Sequence, residues 1–185
     1  MSVWQAPGSD ESGRIILGID PGLASVGFGV IREVSGRLFH VDHGTIQTSS
    51  DQPTQERLFA IYSGILTLID SYRPSAGGIE GLFFFRNVSS ALPVAEACGV
   101  IKLAFRQRMI DLSEFSPNDI KKAVSGTARA EKKQVQEMVK MLLGLADIPK
   151  PDHAADALAA AICRAHFEGP SGLSIVGRPN FKKSK

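Results

Sequence analysis

The chain has 185 residues, a formal net charge of +2, 43% hydrophobic and 22% charged residues. That profile fits one water-soluble globular domain with a core that removes roughly 70% of the unfolded surface from water, and it leaves any question of a polyanionic partner to local charge clusters. Two cysteines, Cys98 and Cys163, make no disulfide framework, and no run of 18 apolar residues or charged-then-apolar leader is seen, so a reducing, cytoplasmic location is expected rather than a membrane or secreted one.

Residues 1–13 hold Ser, Gly, Pro and acidic residues without apolar period, and are expected to be a flexible extension. The folded domain is expected over 14–168. Arg14–Asp20 is an apolar run that reads as a buried strand. Val26–Glu33 and Arg37–Thr48 flank Ser35-Gly36 as a hairpin that continues the sheet. From Gln55 to Tyr72, apolar residues at Leu58, Ile61, Tyr62, Ile65, Leu68 and Ile69 have a helical period. Gly77–Glu80 is a short strand. Ser90–Arg108 is a helix in which Pro93 is tolerable only near the first turn. Met109–Phe115 is strand-like, and Pro117–Val124 is a short helix with its proline early. Glu131–Leu143 is amphipathic, with Val135, Met138, Val139 and Leu142 on one face, and Asp152–Phe167 is an alanine-rich last helix. Residues 169–185 carry Arg178, Lys182, Lys183 and Lys185 and are expected to form a flexible basic tail. The order is three strands, helix, strand, helix, strand, helices: a mixed α/β domain without internal repeat.

The acidic residues take on meaning within this order. Asp20 stands where an apolar strand gives way to Pro21-Gly22, a place where a carboxylate either satisfies the donors of a turn or has chemical work to do. Glu80 ends the fourth strand. His153 and Asp156 are three apart at the start of the last helix and share a face. Three sequence-distant elements can therefore bring carboxylates and an imidazole to one edge of a sheet. Hard divalent cations take oxygen ligands, and two such ions suit the in-line displacement of a phosphodiester. Asp152 is either the N-cap of the last helix or a further ligand.

Signs of nucleic-acid contact are separate. Phe83-Phe84-Phe85 cannot all point inward from an extended segment, and an exposed aromatic beside an acidic site suits base stacking. Arg86 and Asn87 follow as candidate phosphate contacts. Lys121, Lys122, Arg129, Lys132 and Lys133 form a basic cluster opposed nearby only by Glu131.

In series, Ile16-Leu17-Gly18-Ile19-Asp20-Pro21-Gly22, Ile79-Glu80 before Gly81-Leu82-Phe83, Ala130-Glu131-Lys132-Lys133-Gln134-Val135-Gln136 and Asp152-His153-Ala154-Ala155-Asp156-Ala157-Leu158-Ala159 resemble the motifs of RuvC-type Holliday junction resolvases. The resemblance runs from about Arg14 to His166. It implies an RNase H-like fold, a mixed five-stranded sheet flanked by helices. It also implies a homodimer, Mg²⁺ or Mn²⁺ with two ions per site, and paired symmetric nicking of four-way DNA junctions in recombination and repair. Branch-migration motor proteins of the RuvA and RuvB type are the implied partners.

Carried onto this chain, the resemblance makes Asp20, Glu80, His153 and Asp156 the catalytic and metal-binding residues. His153 takes a position that is aspartate in some members and histidine in others, where it serves either as a ligand or as the acceptor of a proton from water. Phe83 matches an aromatic that meets bases near the junction centre, and Lys121 and Lys132 match basic residues near DNA; Lys133, Arg86 and Asn87 complete the expected DNA-binding set. The small residues Ala91, Ala95, Cys98 and Gly99 form a stripe that either packs on the chain's own sheet or lies in the dimer interface. The alternative activity is an RNase H-like nuclease for other branched DNA or structured RNA. An actin-like nucleotide-binding module, suggested by the glycine-rich turn after Asp20, would need two such halves and a much longer chain.

Overall fold

The structure, a computed structural model, describes residues 13–81 and 88–167. Phe83, Arg86, Asn87 and most of the expected N-terminal extension and C-terminal tail lie outside the described residues. The elements run β1 (Arg14–Asp20), β2 (Ser25–Val34), β3 (Arg37–Gln47), α1 (Thr54–Tyr72), β4 (Ala76–Glu80), α2 (Val88–Gln107), β5 (Asp111–Phe115), α3 (Pro117–Ser125), α4 (Lys132–Leu142) and α5 (Asp152–His166). The five strands form one mixed sheet in the order β3-β2-β1-β4-β5. β1, β2 and β3 are antiparallel neighbours joined by tight connections, whereas β4 and β5 run parallel to β1 through helical crossovers. The expected element order and fold class hold.

Alternation along β1 divides the core in two. Leu17 and Ile19 join Val26, Val30 and Ile79 against Ile61, Ile65 and Ile69 of α1 and Ile101 and Phe105 of α2. Ile16 points to the other face and packs with Leu158 and Ile162 of α5, Ile120 and Val124 of α3, and Val135 and Val139 of α4. Both faces of the central strand are thus covered, which explains why β1 reads as a continuous apolar run.

Helix α5 lies unusually close to the sheet. Gly18 pairs with Gly29 on one side and Gly78 on the other, a row of three glycines across β2, β1 and β4. A Cβ on Gly18 would stand 2.0 Å from the carbonyl oxygen of Ala157, and one on Gly27 would stand 1.9 Å from that of His153. The alanines of α5 complete the contact: Ala154, Ala155, Ala157, Ala159, Ala160 and Ala161 are all buried. Backbone meets backbone where side chains normally keep the layers apart.

Several local expectations are corrected. Helix α2 begins at Val88 rather than Ser90, which leaves Pro93 in its second turn, past the positions where a missing N–H is harmless. Met109 has a positive φ of 55° and is exposed, so β5 starts only at Asp111, after a turn. The small-residue stripe of α2 is split: Cys98 is buried against the chain's own sheet, while Ala95 and Gly99 face outward between Leu92 and Leu103, which are 60% and 58% exposed. Among the described residues no helix is long and apolar enough to cross a membrane, and both cysteines are free and buried.

Gly18→Ala is expected to destabilise the protein by about 3 kcal/mol, at the upper end of ordinary overpacking, because the new methyl meets helix backbone that no rotamer change can move. Denaturant unfolding checks this; an unchanged midpoint would mean that α5 can lift from the sheet without loss.

Candidate active site

Parallel pairing sets the first two acids. Ile19 pairs with Ile79, so the next residues, Asp20 and Glu80, end adjacent strands at the same level. Each lies two residues beyond a glycine that faces α5 (Gly18 and Gly78), so both share that face. The third acid comes from above. The close contact of α5 places its first turns over the ends of β1 and β2, with the His153 carbonyl against Gly27. His153 Nδ1 lies 2.7 Å from Asp20 Oδ2, and Asp156 is near enough that its charge bears on both Asp20 and Glu80. The structure therefore brings together all four residues expected from the sequence.

Their exposure is graded. Asp20 and Asp156 side chains are 15% and 27% exposed, whereas His153 is 53% exposed at the rim. Burial disfavours ionisation, and neighbouring carboxylates add to it. Glu80 is pushed up to about 7, first by desolvation and then by Asp20 and Asp156, with Lys132 and Lys121 opposing. Asp20 is also raised, mainly by burial; its hydrogen bond with His153 works against the rise.

Lys132 and Lys121 are the basic residues that act on this group. Lys132 Nζ lies 3.1 Å from Asp156 Oδ2 and 3.1 Å from Asp152 Oδ2. Lys121, on α3, bears on Glu80. Lys133 is exposed on the first turn of α4. Asp152 does not cap its helix: Pro151 holds the N-cap position, and no side-chain hydrogen bond caps α5. Instead Asp152 accepts from Gln136 Nε2 at 3.2 Å and pairs with Lys132. Gln136 closes the segment Ala130–Gln136 but had no role assigned from the sequence; its place four residues after Lys132 puts it on the same face of α4.

The donor set fits hard divalent cations. Three carboxylates and an imidazole supply oxygen ligands and one nitrogen, a donor set that suits Mg²⁺ or Mn²⁺. Among the described residues no three such side chains are already drawn to coordination spacing. Asp20 is turned to His153 and Asp156 to Lys132, so an ion would have to compete with both.

A mixed sheet in this strand order, with acids closing β1 and β4 beneath a helix that carries a third, defines an RNase H-like domain. Residues 16–164 match the family model described as crossover junction endodeoxyribonuclease RuvC. The curated protein of that name from Treponema pallidum is 50% identical over 161 residues, covering 87% of this chain and 82% of the relative. That from Rubrobacter xylanophilus is 46% identical over 169 residues, covering 91% and 94%. Thermus thermophilus RuvC, solved in complex with a Holliday junction substrate, superposes with a TM-score of 0.79 at 33% identity over 82% of this chain and 93% of that one. The yeast mitochondrial Holliday junction resolvase, at 14% identity and a TM-score of 0.57, shares the fold. The chain belongs to the RuvC family of crossover junction endodeoxyribonucleases, phosphodiester hydrolases of the nuclease class.

The raised Glu80 gives a stability prediction for the metal-free protein. Its folded value of about 7 lies above the ordinary glutamate value of 4.5, so its contribution is fully present below about 4.5 and is lost as pH rises through about 7. In EDTA, Glu80→Gln is expected to be the more stable form at pH 8, by about 1–2 kcal/mol after allowance for solvent screening, and close to the parent at pH 5. Thermal melts at the two pH values check the sign.

Proposed function

We propose that the protein resolves four-way DNA junctions by symmetric paired nicking, using two Mg²⁺ or Mn²⁺ ions held by Asp20, Glu80, Asp156 and His153. The observation that carries the reading is the convergence of β1, β4 and α5 on one partly buried acidic group with lysines at its edge, in a chain of this family. The bound ions would supply charge that stabilises the attacking and leaving oxygens of an in-line displacement. Asp20, Glu80 and Asp156 would supply the carboxylates that hold the ions, Asp20 serving both of them.

His153 has two roles that its geometry allows. With one ring nitrogen on Asp20, the other would either complete an ion's shell or take a proton from the attacking water. The products would carry 5′-phosphate and 3′-hydroxyl ends. Lys121, Lys132 and Lys133 would meet backbone phosphate, with Arg86 and Asn87 beside them, and Phe83 would stack on a base opened near the junction centre.

A four-way junction has two-fold symmetry, and one chain supplies residues for one such site, so paired nicking calls for a homodimer on the same axis. The outward stripe of Leu92, Ala95, Gly99 and Leu103 on α2 is the surface suited to it, since small residues let a second helix approach. Branch-migration motors of the RuvA and RuvB type would deliver the substrate.

Product mapping on a synthetic mobile four-way junction, with Mg²⁺ and with Mn²⁺, tests the whole reading: symmetric nicks with 5′-phosphate ends are expected, and equal cutting of linear duplex or RNA would overturn it. Asp20→Asn is expected to lower cleavage by at least a thousandfold while junction affinity stays within about threefold, because the lysines carry phosphate binding; residual cleavage within tenfold of the parent would remove Asp20 from the ion site. Ala95→Arg or Gly99→Arg is expected to give a folded monomer that has lost paired nicking. Light scattering that shows a monomeric, fully active parent would refute the dimer.

A further inference from the structure

Lys132 and Gln136 stand one turn apart on α4, and both reach Asp152 at the start of α5. The Lys132 ammonium is shared evenly between Asp152 and Asp156, 3.1 Å from an oxygen of each. Gln136 donates to the other Asp152 oxygen at 3.2 Å, so the carboxylate is held from two directions. Asp152 is 68% exposed, and the ammonium lies between it and the sunken Asp156. It does not serve as an N-cap, because Pro151 has that position and no side-chain bond caps the helix. Its side chain is spent on Lys132 and Gln136.

The sharing matters once Asp156 changes partner. A carboxylate engaged by a divalent ion no longer attracts an ammonium, and the ion itself repels one. Lysine is a point charge on a flexible four-carbon stem, so without a second anchor Lys132 would leave the rim and sample many rotamers. We infer that Asp152, steadied by Gln136, is a positioning residue that keeps the Lys132 ammonium at the rim of the acidic group when Asp156 takes an ion, and so aims it at the scissile phosphate. The inference rests on the proposed function.

The test uses the full-length protein and compares Asp152→Asn, Asp152→Glu, Lys132→Met and the double variant Lys132→Met/Asp152→Asn. Single-turnover cleavage is measured at saturating four-way junction, and junction affinity is measured separately in EDTA. Asp152→Asn is expected to slow cleavage about tenfold with affinity within twofold and melting temperature unchanged. Asp152→Glu should restore most of the rate. In the Lys132→Met background, Asp152→Asn should add no further loss. A second readout is independent of turnover: with Mg²⁺ and no DNA, acylation of the Lys132 amine, followed by peptide mass spectrometry, should be at least threefold faster in Asp152→Asn than in the parent. Parental cleavage by Asp152→Asn, an equal slowing in both backgrounds, or unchanged amine labelling overturns the inference. A parent that does not nick the junction at all fails the functional reading instead, and the labelling result then stands by itself.

Discussion

The contact between the backbone of α5 and the glycine row of the sheet is the constraint on which the rest depends. A helix normally rides on a sheet through interleaved side chains, and its height then varies with their size and rotamers. Here Gly18, Gly29 and Gly78 remove the side chains from one layer, and the alanines of α5 shrink them in the other. What remains is nearly rigid geometry, with carbonyls of α5 against Cα atoms of β1 and β2. Asp20 and Glu80 are set by strand pairing, while His153 and Asp156 are set by the seating of α5. A site on two rigid elements tolerates little error, and the glycines take up that tolerance before any polar group is involved.

That rigidity holds together groups that repel. Three carboxylates form a partly buried group, and Glu80 is pushed up to about 7 first by desolvation and then by the charges of Asp20 and Asp156. Relief comes only from the edge: the imidazole of His153 on Asp20, Lys132 on Asp156, and the field of Lys121 on Glu80. The core below, apolar on both faces of β1, supplies the stability against which this strain is set. Local rules of charge compensation are broken where a function asks for it, and the surroundings offset the loss.

How far the sequence disclosed this depends on how local each feature is. The strand ending at Asp20, the helical period of α1, the amphipathic α4 and the alanine-rich α5 are written in short-range pattern, and each element was legible. The acids at the ends of β1 and β4 were legible too, because an ionisable residue closing an apolar strand is conspicuous. The glycine row was not: Gly18, Gly29 and Gly78 lie far apart in sequence, and only the register of three strands lines them up. Cys98 looked equivalent to Ala95 and Gly99 by spacing, yet the rotation of α2 turns it inward. Asp152 was open between cap and ligand because the difference is a single residue of helix phase, and Pro151 takes the capping position. Its contact with Lys132 spans 20 residues and two helices, beyond the reach of any local rule.

The placement of Lys132 and Gln136 follows from the packing of α4. Val135 and Val139 bury one face of that helix in the core shared with α3 and α5, which fixes its rotation. Lys132 and Gln136, flanking Val135 by three residues and one, are thereby carried to the seam with α5. The carboxylates that an ion would read lie on β1, β4 and α5, and the ammonium that a phosphate would read lies on α4, joined to α5 at the seam by Asp152. Coupling between them need not involve any change in the sheet. It requires only that Asp156 exchange one cation for another while Asp152 keeps the first within reach, a local two-state event on a scaffold rigid enough to make the alternatives discrete.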